Sequence, residues 1–348
     1  MPSRRPPTRR TRRRSTVICT STLAGNPCTL RAAVQAANFL GGGPHTINLT
    51  VAGTYALTVP GAGESAAATG DLNVTASVTI ANTSGSGVVV DGTALNDRVF
   101  DVSPAAATQV AISGITIQNG TTTLLGGGIQ VGANATLRLD TVTLTGNTAA
   151  QGGAIANSGT LMLSNTTLTN NAANNVGTGG GGGLLNQGTA TLTNGTISSN
   201  EAVNPGGGIF KGGTATLTNV QVVGNVSEGN GGGGIENTGS ATLTVTGGAI
   251  SDNAVASASG GGLDNENGGT ATLTNVTVHH NSAVGGGGVF NAGGAGFQGQ
   301  AGTISLTNVT VSRRAAASAS SRAAPSSCSI RSWPATRVAI VGNPHPAG

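Results

Sequence analysis

The side chains of this 348-residue chain that could do chemistry are few, and two of them are carboxylates at equivalent places in a repeat. Glu236 and Asp264 each follow the aliphatic residue of a glycine cluster, in "GGGIEN" and "GGGLDN". If successive repeats stack, the two carboxylates project outward about 5 Å apart, a spacing that suits Ca²⁺ binding or acid/base chemistry. The equivalent positions Phe210 and Phe290 supply no third ligand. We therefore hold the pair as weak metal candidates and expect solvated charges.

A second group places serine, histidine and aspartate side chains together. Asp252 shares a repeat phase with His280, and Ser251 shares one with His279. These are the residue types of a hydrolytic triad, but a chain this rich in serine produces such neighbours by chance. We expect a solvated turn here. No phosphate loop or calcium-binding nonapeptide pattern accompanies the glycine runs, so we assign no catalytic residue, cofactor or metal.

The element that must position these residues is a repeat of 25–29 residues. Its clearest register is the aliphatic residue after each glycine cluster: Ile129, Ile155, Leu184, Ile209, Ile235, Leu263 and Val289. A second register is an asparagine three residues after an aliphatic one: Asn147, Asn171, Asn200, Asn225, Asn253 and Asn281. The period is too short for a propeller blade and lacks the leucines of leucine-rich repeats. It fits three short strands, which predicts an all-β fold, a single right-handed parallel β-helix (β-solenoid).

Within each coil the sequence reads as three strands, "GGGI-x-N", "ATLTN" and "VTVxxN". The glycines supply positive φ and close approach between coils. Asparagine tolerates the left-handed backbone of a sharp corner, and stacked asparagines form hydrogen-bonded ladders. The corner positions predict a structural ladder of Asn165, Asn194, Asn219, Asn275 and Asn308. A further ladder, which Lys211 interrupts, is predicted at Asn157, Asn186, Asn237, Asn265 and Asn291.

Threonine pairs lie on the solvent side of the middle strand of several coils. We expect two outward columns, built from Thr191/Thr193, Thr216/Thr218, Thr242/Thr244 and Thr272/Thr274. Such Thr-x-Thr grids resemble those of ice-binding β-solenoids. Threonine is also simply a good residue for a solvated strand, so the grid alone does not decide the function.

Charge and composition exclude two classes of function. The net charge of +4 is misleading, because seven of the 16 basic residues lie in positions 4–14 and five lie at or beyond position 313. Residues 15–312 hold four basic and all 12 acidic side chains, a net charge of −8. With only 2% aromatic residues, this body has no basic, aromatic groove for nucleic acid. It also has no stretch long and apolar enough to span a membrane, and no signal-peptide core follows the basic start.

The three cysteines show no metal-ligand spacing. Cys19 and Cys28 are close in sequence and Cys328 stands alone, so we expect a local Cys19–Cys28 disulfide and an oxidising compartment.

The composition divides the chain into four parts. Residues 1–15 form a basic disordered tail. Residues 16–43 form an N-terminal cap, in which residues 28–40 favour a short amphipathic helix with Leu30, Val34 and Ala37 on one face. Residues 44–312 form the parallel β-helix. Residues 313–348 abandon the repeat at Arg313, and we interpret them as an atypical tail, disordered or read in a shifted frame.

The segment "CTLRAAVQAAN", from Cys28 to Asn38, resembles the CSLREA-type motif at the start of bacterial right-handed β-helix proteins. "INLTVAGTYALTV" and "VVVDGTALNDRVFDV" follow in the order typical of that family, over about residues 16–312. The coils are also similar to polymorphic outer-membrane protein repeats, as in "GGAI" at residues 152–155. The resemblance implies an exported or cell-surface, adhesin-like β-helix without catalytic residues defined by the motif. Cys19 resembles a family cysteine upstream of the motif.

These observations favour a non-enzymatic extracellular or cell-surface scaffold, associated with the outer membrane and binding a surface glycan or protein through its side face. We expect a monomer with no nucleic-acid partner. The alternative is a polysaccharide lyase or glycoside hydrolase of the β-helix type. A lesser alternative is an ice-binding β-solenoid.

Overall fold

The computed structural model describes residues 28–175, 179–229, 231–291 and 302–312, together with the backbone of Val338–Ala339. In these residues the chain forms a single all-β parallel β-solenoid with one short helix at its N-terminal end. Each strand pairs with the equivalent strand of the next repeat, as Ile209 does with Ile235. The predicted fold class and its three strands per coil are confirmed, and the right-handed sense of the coil stays a prediction.

Three long sheets run along the solenoid. Sheet A contains ten parallel strands: His45–Leu49, Val78–Asn82, Thr108–Ser113, Ala135–Asp140, Thr160–Ser164, Thr189–Thr193, Thr214–Thr218, Thr242–Thr246, Thr270–Thr274 and Thr303–Thr307. Sheet B contains Gly53–Ala56, Val88–Asp91, Thr116–Gln118, Thr143–Thr145, Thr167–Thr169, Thr196–Ser198, Gln221–Val223, Ala249–Ser251, Thr277–His279 and Thr310–Ser312. Sheet C contains Leu72–Asn73, Phe100–Val102, Ile129–Val131, Ile155–Asn157, Leu184–Asn186, Ile209–Lys211, Ile235–Asn237, Leu263–Asn265 and Val289–Asn291.

A fourth, narrow sheet adds a two-residue strand to the central coils. Sheet D contains Thr148–Ala149, Ala172–Ala173, Glu201–Ala202, Val226–Ser227 and Ala254–Val255. It lies in the chain between the sheet B strand and the glycine cluster that opens the next sheet C strand. At the other end of sheet A, Val338–Ala339 pairs antiparallel with Ser305 and Leu306.

The core is a stack of aliphatic columns that runs the length of the solenoid. Alternation in sheet A puts one residue in and the next out, as in Thr214–Thr218, where Ala215 and Leu217 are buried. The aliphatic residues after the glycine clusters form a second column, which is fully buried from Ile129 to Leu263. Because coils stack about 4.8 Å apart, branched aliphatic side chains fill this narrow interior without aromatic rings.

Each glycine of a cluster meets a different neighbour. A Cβ on Gly206, whose φ is +79°, would lie 2.5 Å from the Ile209 carbonyl oxygen. One on Gly207 would lie 2.4 Å from the carbonyl oxygen of Val226, and one on Gly208 would lie 2.6 Å from that of Gly234. These contacts are closer than side chains tolerate. The predicted use of glycine for positive φ and close approach between coils is therefore confirmed.

The N-terminal cap is the helix Leu30–Leu40, which Thr29 caps by accepting a hydrogen bond from the Ala32 amide. Its apolar face buries four residues, the predicted Leu30, Val34 and Ala37 together with Ala33.

Polar residues of the cap helix fix it to the first coil. The Arg31 guanidinium donates to the backbone carbonyls of Ala67, Thr69, Gly70 and Asp71. The Asn38 side chain donates to one backbone carbonyl of the coil and accepts from two amides, at Thr75 and Ala76. Residues of the segment that resembles the CSLREA-type motif thus attach the cap helix to the first coil.

Several expectations fall outside the described residues. They are the basic tail of residues 1–15, Cys19, Cys328 and all of residues 313–348 apart from the backbone pair above. Cys28 is disulfide-bonded, and its pairing with Cys19 stays a prediction.

Candidate functional site

The most regular surface of the described residues is the outer face of sheet A between Thr160 and Thr307. Six successive strands put three residues each on this face, and none of the 18 is buried or charged. Fifteen are threonine. Strand pairing stacks them in three columns, spaced about 4.8 Å between coils and about 6.7 Å along each strand. We call this surface the threonine face.

The predicted threonine columns were wrong in one coil. Thr242 pairs with Thr214, so Thr244 joins the column of Thr216, and Thr246 joins that of Thr218. The repeated letters "ATLT" suggested a register shifted by two residues. The register is instead set by the corner that follows the strand. Gly247 has the left-handed conformation that Asn219 has in the preceding coil, and the strand ends there. The structure consequently has three columns where the sequence indicated two.

Glu236 and Asp264 are register neighbours on adjacent strands of sheet C, as predicted, but they are not solvated. Only 1% of Glu236 and 4% of Asp264 is exposed. The backbone of the preceding glycine turn covers them, since a Cβ on Gly231 would lie 2.1 Å from Asp264 Oδ2. Period-two alternation does place both side chains outside the core, but the glycine turn folds over that side of the strand. The expectation of outward, solvated charges is therefore corrected.

Burial changes the acidity of this pair. Desolvation, reinforced by Asp264 and Glu266, raises the pKa of Glu236 well above its ordinary value. Desolvation, with the negative charge of Glu266, raises the pKa of Asp264 to about 7. Glu236 Oε2 and Asp264 Oδ1 have no hydrogen-bond partner among the described residues. We interpret the two side chains as carboxyl groups that retain protons near neutral pH.

The raised pKa of Asp264 predicts a pH-dependent stability. The folded state holds more protons than the unfolded chain between the ordinary pKa, about 4, and about 7, so stability falls as pH rises through this window. Asp264→Asn removes one titrating group, and we expect about 1–3 kcal/mol more stability at about pH 8 and a shallower slope. Urea unfolding at several pH values measures this. A variant slope as steep as that of the parent would contradict the assignment.

The serine, histidine and aspartate group lies at a corner between sheets B and D. Ser251 and His279 are register neighbours, and Asp252 and His280 follow them with left-handed backbones. His280 Nδ1 lies 3.6 Å from Asp252 Oδ1 and 3.2 Å from His279 Nδ1. Ser251 is buried, with 6% exposed, and makes no hydrogen bond to either histidine in the described part of the chain. The structure thus brings together both histidines and the aspartate and leaves the serine out.

The continuous asparagine ladder is buried, and it differs from the one predicted at the corners. In the buried ladder each side chain donates to the Oδ1 of the next at 2.9–3.0 Å, and its members are Asn147, Asn171, Asn200, Asn225, Asn253 and Asn281. The predicted corner residues do have positive φ, but they are exposed. Among them the structure pairs Asn219 with Asn194 and Asn308 with Asn275. Asn165 donates instead to Asp140 Oδ1 and Ser164 Oγ.

Lys211 is fully buried and lies between Asn186 and Asn237 in the other predicted ladder, which we call the second ladder. Its asparagines are Asn157, Asn186, Asn237, Asn265 and Asn291. Its ammonium donates to the Gly213 carbonyl oxygen at 2.6 Å and to Asn237 Oδ1 at 2.9 Å. No carboxylate pairs with it in the described residues, and burial lowers the pKa of Lys211 to about 7. The sequence marked this interruption, but it gave no sign that the lysine is buried.

Replacing Lys211 with asparagine is expected to stabilise the protein. The amide would restore the donor to Asn237 and remove a buried charge, for a gain of about 1–3 kcal/mol at neutral pH. The lowered pKa of Lys211 makes stability of the parent rise between about pH 7 and 10, so the gain should shrink across that range. Urea midpoints against pH measure both effects. A less stable variant at neutral pH would show that the charged hydrogen bonds outweigh the cost of burial.

A buried cluster of charged residues in the first coils was not predicted from the sequence. Arg98 lies 3.8 Å from Asp71, 3.9 Å from Asp97 and 3.3 Å from Asp101, and it donates to Gln130. Desolvation and the neighbouring aspartates raise the pKa of Asp71 to about 7, against the opposing effect of Arg98. Aligning equivalent repeat positions would have brought these residues together, but the early coils are too irregularly spaced to be aligned from the sequence. Asp71, Asp97 and Arg98 are all buried, so we interpret the cluster as structural.

A cavity of about 490 Å³ lies between the cap helix and the first coil, where Leu30, Ala33 and Ile47 line it. Among the described residues, no helix combines the length and the apolar character that crossing a bilayer requires.

Comparison with known proteins adds no relative: no family model, no curated protein and no solved structure matches this chain.

Proposed function

We propose that this protein is a non-enzymatic extracellular or cell-surface scaffold, adhesin-like, which binds a hydroxyl-rich polymer such as a surface glycan through the threonine face. The observation that carries the proposal is the regularity of that face: six coils present an uncharged grid in which 17 of the 18 side chains carry a hydroxyl group. Hydroxyl groups both donate and accept hydrogen bonds, and so do the hydroxyl groups of a glycan.

The distribution of titratable groups supports a binding role. The carboxylates that sequence reasoning held as candidates, Glu236 and Asp264, are covered by backbone. A general acid must come within hydrogen-bond reach of the substrate, and here the glycine turn stands between. The threonine face itself holds no charged side chain.

The resemblance of residues 28–38 to the CSLREA-type motif, and of the coils to polymorphic outer-membrane repeats, supports export and a surface location. The docking of the cap by Arg31 and Asn38 gives that motif a physical role in this chain. The disulfide at Cys28 is consistent with an oxidising compartment.

The test is binding of the purified chain to a panel of insoluble polysaccharides in a sedimentation assay. A triple variant, Thr191→Lys with Thr216→Lys and Thr244→Lys, places three charges in one column of the face. We expect it to lose binding by about tenfold or more, through like-charge crowding and lost hydroxyl groups. The matched control carries Thr143→Lys, Thr167→Lys and Thr196→Lys, on the outer side of sheet B, and should bind as the parent does.

Two results of this assay would overturn the proposal. One is equal loss in both triple variants, which would place the binding elsewhere. The other is release of soluble sugar that Glu236→Ala or Asp264→Ala abolishes, which would establish the polysaccharide lyase or hydrolase instead.

The same face favours a second candidate, ice binding. Three columns made mostly of threonine form a wider grid than the sequence predicted, and a regular array of hydroxyl and methyl groups suits ordered water. Thermal hysteresis, lost in the triple variant of the threonine face and retained in the sheet B control, would favour it. If a solution of the parent protein shows no thermal hysteresis, the ice-binding candidate is eliminated.

A further inference from the structure

Three side chains outside the threonine face converge at a corner of the solenoid. One ligand atom each from Asp252, His279 and His280 lies within 4.8 Å of the other two. We propose that this group binds a divalent transition-metal ion of the Zn²⁺ class, with two histidine nitrogens and one carboxylate oxygen as protein ligands. This proposal does not depend on the function assigned to the threonine face.

Stacking of two coils builds the group. Sheet B strands Ala249–Ser251 and Thr277–His279 are adjacent and parallel, which puts the corner after one strand directly beside the corner after the next. Asp252 and His280 have φ values of +56° and +57°. The shared left-handed turn thus presents their side chains from equivalent positions, and the Asp252 amide donates to the His279 carbonyl at 3.1 Å.

The distances match a metal site. Nδ1 of His280 lies 3.2 Å from Nδ1 of His279 and 3.6 Å from an Asp252 carboxylate oxygen. A tetrahedral ion with ligands at about 2.0–2.2 Å holds neighbouring ligand atoms about 3.3–3.6 Å apart. Two of the three edges therefore agree within a few tenths of an ångström, and the ring planes, inclined at 79°, keep the imidazoles from stacking.

The group is open to ions and keeps coordination positions free of protein. The side chains of His280 and Asp252 are 52% and 53% exposed. In the described part of the chain, their polar side-chain contacts are with one another and with His279. Gly224, at the equivalent corner of the preceding coil, has no side chain to crowd the site. A three-ligand site of this kind leaves a position for water or for a ligand group of a partner.

The ligand set selects the class of metal. Imidazole nitrogens prefer Zn²⁺, Cu²⁺, Ni²⁺ or Co²⁺, whereas Ca²⁺ and Mg²⁺ require mostly oxygen ligands. A single carboxylate is too few for the second class. We therefore expect Zn²⁺ to bind and Ca²⁺ to leave the protein unchanged.

Titration of the full chain with Zn²⁺ in a calorimeter at neutral pH tests the proposal. We expect about one ion per chain, with affinity lowered about tenfold or more by His279→Gln and by His280→Asn. Asparagine at position 280 keeps a residue that tolerates left-handed backbone. Asp252→Asn should weaken binding to a lesser degree. The matched control is His345→Ala, which removes a histidine outside the described residues and should leave the affinity unchanged.

A spectroscopic measurement separates a built site from loose surface binding. Co²⁺ at a site of four or five ligands absorbs visible light strongly, unlike the hydrated ion, and this band should be lost in His280→Asn. Circular dichroism of each variant must show the strand content of the parent, so that a folding defect is not scored as lost binding. No saturable binding, or binding that survives His279→Gln and His280→Asn together, would overturn the proposal.

Discussion

Replacing Asn200 with alanine is expected to lower the free energy of unfolding by about 3–5 kcal/mol, the largest single effect we expect. Its side chain makes four hydrogen bonds inside the solenoid. It accepts from the amide and the side chain of Asn171, and it donates to the Leu168 carbonyl and to Asn225. Alanine removes all four. Donors and acceptors of the preceding and the following coil then remain buried and lose their partners.

The matched control replaces an asparagine of the same coil at the exposed corner. Asn194 has a φ of +53°, so Asn194→Gly keeps the backbone conformation and removes only an exposed side chain. We expect a change within about 0.5 kcal/mol. Urea unfolding, followed by circular dichroism, measures both variants. Similar losses in the two would contradict the distinction between the buried ladder and the corner column.

Replacing Gly206 with alanine is the second large effect. The new Cβ would lie 2.5 Å from the Ile209 carbonyl oxygen and 2.7 Å from the Phe210 Cα, on a backbone with a φ of +79°. Left-handed backbone costs alanine about 1–2 kcal/mol, and forcing apart packed backbone adds about 1–3 kcal/mol. We expect a loss of about 2–5 kcal/mol, measured as a fall in the urea midpoint.

Gly212 provides the control within the same coil. A Cβ there meets no atom within 4 Å, so Gly212→Ala should leave stability unchanged or raise it by about 0.4–1 kcal/mol. If Gly206→Ala were as harmless as Gly212→Ala, the turn at Gly206 would not be packed against the strand Ile209–Lys211 that follows it.

The sequence was sufficient for the fold because the period defines which residues touch. Equivalent aliphatic positions such as Ile209 and Ile235 pair directly, and so do the asparagines of the second ladder, Asn237 and Asn265. The same reasoning brought Glu236 beside Asp264 and Asp252 beside His280. These contacts follow from stacking alone and require no knowledge of side-chain packing.

The sequence was insufficient wherever packing outside the strand decides burial. Alternation places Glu236 outside the core, but only the fold shows the glycine turn that covers it. Lys211 is charged, which suggests exposure, yet the ladder encloses it. The register of Thr242 depended on where the corner glycine ends its strand. The cluster around Arg98 escaped because the early coils lack the regular spacing of the later ones.

The register of the coils is the claim on which every site described above depends, and spin-label distances test it most directly. A label at Thr303 is paired in turn with a second label at Thr136, Thr160 or Thr189, outward positions of sheet A that lie six, five and four coils away. Stacking about 4.8 Å per coil predicts mean separations of about 29, 24 and 19 Å, in equal steps. Separations that do not shorten by one coil spacing each time, or broad distributions without a maximum, would contradict the register.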